Sequence, residues 1–188
     1  MIAALVRRGL ERWSNRLPAR AIELHGRPYI DRFHVCTLGR VTVYLHQYHS
    51  ADGDRELHDH PWTWSVGIPL AGGYNEQRLR WVCAVGGAVT RLRRIRPWRW
   101  NWMTVNSAHR VAEYLPGTWT LFVHGERVKH WNFLLDERGP ETREVRGEEL
   151  TLQQGTVTLG QWFKPTRADW YRRAPTGAEL RQQRRVAR

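Results

Sequence analysis

Two histidines, His58 and His60, stand one residue apart in the stretch ELHDHPWTW, and a third, His109, opens the stretch HRVAEY about 50 residues later. On a strand, residues i and i+2 point to one face, so His58 and His60 present two imidazoles together while Asp59 turns away. A His-x-Asp pair would need a carboxylate two residues after the first histidine, and that place holds His60. Three imidazoles meeting at one ion form one face of an octahedron and leave positions open for substrate and oxygen. Such ligands bind as neutral rings, so metal affinity falls as the pH drops below their pKa values.

Other residues compete for roles around this trio. Glu76, in GGYNE, is a candidate fourth ligand or proton handler, and reads equally as an exposed strand glutamate beside Gln77 and Arg78. Glu113 lies four residues after His109 and shares its face in an unbroken strand, which makes it the second candidate carboxylate. Asp52 and Asp54 precede the motif with Arg55; an aspartate there either receives a histidine N–H or caps the turn at Gly53. Trp62 and Trp64 are expected on the inward face past Pro61, as pocket walls or as filling. Arg110, beside His109, is a candidate for a substrate carboxylate or phosphate, although a neighbour of an inward residue on a strand is expected to point outward. His46 shares a face with Thr42, Tyr44 and Tyr48 and reads as packing or as pocket lining; His124 and His130 flank the turn GERVK and reach a metal only if that loop folds over the barrel mouth; His25 and His34 carry no spacing signal.

These residues must be positioned by strands. From about residue 40 the chain runs in short segments rich in β-formers, VTVYLHQY, TWSVGIPL, RLRWVCAV, AVTRLRRI, NWMTVN, HRVAEY and TWTLFVHG, separated by Gly- and Pro-containing turns. That rhythm predicts an antiparallel sandwich or barrel. Ahead of it, residues 2 to 17 place Ile2, Leu5, Val6, Leu10, Trp13 and Leu17 near one helical face, and Pro18 ends the helix. After about residue 161 the chain is arginine-rich and reads as a short packed segment followed by a frayed basic tail.

The HxH pair, the glycine turn at Gly72 and Gly73, and the late histidine before an apolar strand resemble the cupin superfamily. Its first motif, G-x5-H-x-H-x3,4-E-x6-G, is matched at His58, His60 and Gly72, with Gly53 one residue closer than the pattern asks. Its second, G-x5-P-x-G-x2-H-x3-N, is matched only at His109; Trp98, Thr104, Asn106 and Glu113 hold the other places. More closely, the chain is similar to small single-domain cupins of phages and bacteria. Their recurring segments read here as Tyr29-Ile30-Asp31-Arg32, ELHDHPW, GGYNE, HRV, and WTLF with HWNF, across roughly residues 28 to 135. The resemblance implies a jelly-roll β-sandwich (all-β) with a flanking N-terminal helix. It divides the chain into a helix and linker at 1–27, the jelly roll at 28–160 and a basic extension at 161–188. The family's usual glutamate ligand is missing, because Trp64 and Ser65 hold its place. A three-histidine centre on His58, His60 and His109 remains, similar to that of thiol dioxygenases, which use iron(II). No Ser-His-Tyr relay like theirs is present, so their substrate does not carry over.

The expected function is therefore an oxygenase-type enzyme acting on a small molecule. Iron(II) is the expected ion, with zinc, nickel, copper or manganese as alternatives. A metal-dependent isomerase or epimerase of a small polar metabolite is a second reading, and a non-catalytic accessory protein with a basic surface is a third. The formal charge of +12, from 30 basic and 18 acidic residues, reads first as a solvated arginine surface. Contact with nucleic acid is the sharper reading, and no RRM, zinc-finger or KH signature supports it. Cys36 and Cys83 are too few for a disulfide framework, and the opening apolar run is too short for a signal peptide or membrane span. A cytoplasmic protein is expected, and the aromatic content makes a homodimer plausible.

Overall fold

A computed structural model describes residues 2–24, 26–52, 57–82, 87–134, 140–145, 148–154, 159–161 and 169–186. Asp54, Arg55, His25 and Cys83 lie outside them. Helix α1 (Ile2–Ser14) leads into β1 (Ala19–Leu24) and β2 (Arg27–Leu38). Eight strands follow: β3 (Val41–Tyr48), β4 (Leu57–His58), β5 (Trp64–Ala71), β6 (Tyr74–Val82), β7 (Gly87–Ile95), β8 (Asn101–Thr104), β9 (His109–Tyr114) and β10 (Trp119–His124). Then come β11 (Asn132–Leu134), β12 (Pro140–Val145), β13 (Glu148–Gln154), β14 (Leu159–Gln161), a single 3₁₀ turn (Trp170–Arg172) and helix α2 (Gly177–Val186).

The eight strands pair in a nested way: β3 with β10, β4 with β9, β5 with β8 and β6 with β7, all antiparallel. First pairs with last and second with second-last, which is what one long hairpin does when it rolls into two layers. This is the jelly roll. One sheet runs β1-β2-β3-β10-β5-β8 and the other β12-β13-β7-β6-β9-β4-β11-β14. At the turn between β5 and β6, where the chain passes from one sheet to the other, Gly72 has φ +73°, and a Cβ there would lie 2.8 Å from the Cα of Thr118. Only glycine fits that left-handed, crowded position.

The largest apolar cluster does not lie between the sheets. Phe33, Leu45, Trp119, Ala71 and Ala19 point from the first sheet to its outer side, where Leu10 of α1 and Leu180 of α2 close over them. Each fully buried large side chain there contributes roughly 1.5–3 kcal/mol. Alternation then sends other residues of the same strands into the lumen, among them Arg32, Tyr44, His46, Thr120 and Phe122. No helix among the described residues is long and apolar enough to cross a membrane.

The end of the chain differs from the frayed tail expected of it. Residues of α2 form a docked helix, for three reasons. Thr176 and Glu179 make a capping box, with the Thr176 N–H donating to Glu179 Oε2 at 2.7 Å and the Glu179 N–H to Thr176 Oγ1 at 3.3 Å. Leu180 is buried against α1. Arg184 donates through both terminal nitrogens to the buried Asp31, at 2.7 and 2.6 Å.

Candidate metal centre

Strand β4 is two residues long and is held on both sides. His58 sits directly opposite His109 of β9 on one side and Phe133 of β11 on the other. His60 follows beyond the strand end. The three imidazoles are buried, and one nitrogen from each lies within 4.8 Å of the others. The Nε2 atoms of His60 and His109 are 2.7 Å apart. Asp59 turns away, as period two requires, and its carboxylate has a task there. It accepts from Lys129 Nζ, from the backbone N–H of Asn132 at 3.0 Å and from Asn132 Nδ2 at 2.9 Å. That grip fixes the loop carrying Trp131, whose ring lies 5.6 Å from that of His58 and 4.9 Å from that of His60.

Glu76 is fully buried, with Oε1 at 2.8 Å from His109 Nδ1. The same oxygen accepts from Arg78 Nη2 at 3.0 Å and from Asn101 Nδ2 at 2.7 Å. Burial on its own would raise this carboxyl; the His109 contact, the Arg78 charge and the Asn101 amide outweigh it and hold the group at about 2. An ionised carboxylate on Nδ1 assigns the proton of His109 to that nitrogen and leaves the Nε2 lone pair facing the other histidines. The structure thus places Glu76 behind a candidate ligand, His109, rather than beside the three histidines as a fourth one. The donor set of buried imidazoles, one of them oriented by a carboxylate, fits a divalent transition metal.

Glu113 does not join the site. It is exposed and accepts from Asn75 Nδ2 at 2.7 Å. The pairing of β6 with β9 carries a bulge between Asn75 and Glu76, so Glu113 lies opposite Asn75 and Val111 opposite Glu76. A bulge shifts which side chains share a face. Asp52 serves backbone instead of a histidine: its Oδ2 accepts from the N–H of Val111 at 2.6 Å.

Trp62 stacks on His60 at 5.3 Å and on His124 at 4.0 Å, and Phe122 lies 5.6 Å from His60. These rings and Trp131 wall the histidines. Trp64, expected beside Trp62, instead stacks on the half-exposed Trp102 at 5.4 Å, while Ser65 takes the buried place. Pro61 and Thr63 interrupt the strand, so alternation restarts at β5 out of phase. His46, expected as packing or pocket lining, and His124, expected beside a turn, both face the lumen. His46 stacks on Phe122 at 5.2 Å and accepts from Arg32 Nε at 3.0 Å. Burial, and after it the Arg32 charge, push His46 well below the usual histidine value; burial brings His124 down to about 4 against a hydrogen bond to the Gly125 carbonyl. Arg32, beside His46, is a lumen residue whose role no motif marks in the sequence. Its signal was a strand residue two places from Ile30, on the face opposite the apolar Phe33.

No family model matches the chain, and no curated protein matches it in sequence. Solved structures similar to it include KdgF from Halomonas sp., at 15% identity and a TM-score of 0.40 over 58% of this chain and 86% of that one. The DMSP lyase DddQ from Ruegeria pomeroyi DSS-3 is similar at 17% identity and a TM-score of 0.35 over 58% of this chain and 47% of that one. The matched region is thus about half of the DddQ chain.

Proposed function

We propose that the protein is a cupin-type metalloenzyme of oxygenase character, in which His58, His60 and His109 hold iron(II) and a small molecule is the substrate. The observation that carries this reading is the buried trio of nitrogens within 4.8 Å, with the Glu76 carboxylate on His109 Nδ1. An iron(II) ion on three imidazoles supplies open coordination positions and redox chemistry. The chain's own residues do the rest. Glu76 keeps the His109 proton on Nδ1, so that Nε2 stays a donor to the ion. Trp62, Phe122 and Trp131 exclude water from the histidines, and Asp59 holds Trp131 in place. The same histidine set suits metal-dependent isomerase chemistry, which an oxygen-uptake assay on a thiol and metabolite panel separates from oxygenation.

The test is metal content. Wild-type protein reconstituted with iron(II) should hold about one equivalent, and His58→Ala and His109→Ala less than about a tenth. Wild type that stays below that level after reconstitution sinks the proposal.

One observation favours a second, non-catalytic reading. Between Glu76 and Glu113 the chain has no acidic residue, and Arg94, Arg96 and Arg99 are exposed there beside Trp98, Trp100 and Trp102. A basic ribbon interleaved with bare aromatics suits a single-stranded polyanion.

A further inference from the structure

A polar row crosses the inner face of the first sheet. Arg20 of β1 lies directly opposite Arg32 of β2, Arg32 opposite His46 of β3, and His46 opposite Thr120 of β10. Two arginines facing each other across a strand pair repel, and such a pair persists only where something offsets the charge. Among the described residues neither has a carboxylate partner. Arg20 lies over the ring of Trp170 at 4.9 Å, and Arg32 lies over the ring of Tyr44 at 4.9 Å. Burial lowers Arg32 to about 10, the Tyr44 phenol opposing this and Arg20 adding to it, so the guanidinium stays charged at neutral pH but poorly solvated. Two further polar atoms in the same lumen, Thr120 Oγ1 and Ser65 Oγ, are buried without a hydrogen-bond partner.

We propose that Arg20, Arg32 and Thr120 form an anion subsite in the lumen that takes the carboxylate of a small organic acid. Arg32 spends its Nε on His46, which leaves the two terminal nitrogens as a fork, the geometry that matches a planar carboxylate. Arg32 lies on the ring of Tyr44 and Arg20 on that of Trp170, and the two rings stack at 6.2 Å, so the flat faces around the pair suit an aromatic or unsaturated acid better than a tetrahedral oxyanion. From there the wall continues through His46, Phe122 and His60, each ring in contact with the next, to the three histidines. The binding itself requires no metal; that the carboxylate is the anchored end of the substrate rests on the reading given under Proposed function.

The test uses the full chain and benzoate, benzamide and sulfate as probes in calorimetric titrations at constant ionic strength. Benzoate should bind at least about tenfold more tightly than its neutral isostere benzamide, and more tightly than sulfate. Arg32→Met should abolish the preference for benzoate over benzamide, and Arg32→Lys should weaken it. Because Arg32→Met also removes a poorly solvated cation that no carboxylate among the described residues offsets, its thermal midpoint should rise, which loss of a structural contact would not produce. Equal binding of benzoate and benzamide to wild type overturns the proposal without any variant. Benzoate binding unchanged in Arg32→Met overturns it as well, and sulfate binding more tightly than benzoate overturns the carboxylate assignment. His58→Ala should keep the benzoate preference while losing metal. A failed metal reading therefore leaves this result standing, and loss of the preference in a metal-loaded wild type fells the subsite alone.

Discussion

Glu76 shows how one carboxylate changes meaning with its position. A glutamate inside a three-histidine lumen reads as a ligand until its oxygen is found on Nδ1 of His109. Glu76→Gln keeps the shape but removes the charge that fixes the His109 tautomer. Metal affinity should drop about 10–100-fold, measured by competition with a chromogenic chelator; an unchanged affinity would reduce Glu76 to packing. The same substitution has a pH signature. Glu76 is held at about 2, below its ordinary 4.5, so its charged contacts stabilise the fold fully above about pH 4.5 and fade as the pH falls toward 2. Wild type and Glu76→Gln should therefore converge in stability in acid, as urea titrations at stepped pH will show. The histidines themselves were legible in the sequence, because period two needs only an extended backbone and β4 is extended. Glu113 and Trp64 were not. A bulge at Asn75 and Glu76 and a break at Pro61 each reset the alternation, and neither leaves a mark in the order of apolar residues.

Elements were legible where repetition carried them. Eight strands with turn residues between them announce a two-layer β-fold, and nested pairing follows from rolling them up. Helix α2 was hidden by its own composition. One apolar anchor, Leu180, among arginines resembles a solvated tail, although TGAE at 176–179 is the capping-box pattern that marks a helix start. Docking depends on Asp31, which burial would raise but which hydrogen bonds from His49 and Arg184 pull below its ordinary value. Arg184→Met should cost about 2–3 kcal/mol, since it deprives a buried carboxylate of its fork. The sign with pH is fixed: Asp31 is depressed, so this contribution is complete above its ordinary value of 3.8 and is lost as the pH falls through the folded one. Chemical denaturation should thus show a gap between wild type and Arg184→Met at neutral pH that closes in acid. Trypsin should also cut the variant's C-terminal segment faster, because α2 then opens locally.

At the scale of the molecule, charge and aromatic surface are sorted into two places. The lumen keeps rings and arginines enclosed, whereas the ribbon that runs into β8 leaves Trp98 at 65%, Trp100 at 70% and Trp102 at 51% exposure. Trp98 also has φ +64°, the left-handed region, which costs a non-glycine residue roughly 1–2 kcal/mol. Its N–H is tied to the Pro69 carbonyl at 2.8 Å, so the strain is held by the fold. Under the polyanion reading, this held and exposed tryptophan among arginines is a stacking platform. A mixed-sequence single-stranded oligonucleotide should bind with an affinity that falls steeply between low and physiological salt. Trp98→Ala and Trp100→Ala should each weaken it by about 1–3 kcal/mol without altering the salt slope, since stacking releases no counterions. Arg96→Ala should instead flatten the slope by about one unit. Metal content should remain at the wild-type level in all three variants, because the ribbon shares no side chain with the histidines. Absence of binding at low salt, or binding indifferent to both tryptophans, leaves the ribbon as bare surface and removes the polyanion reading.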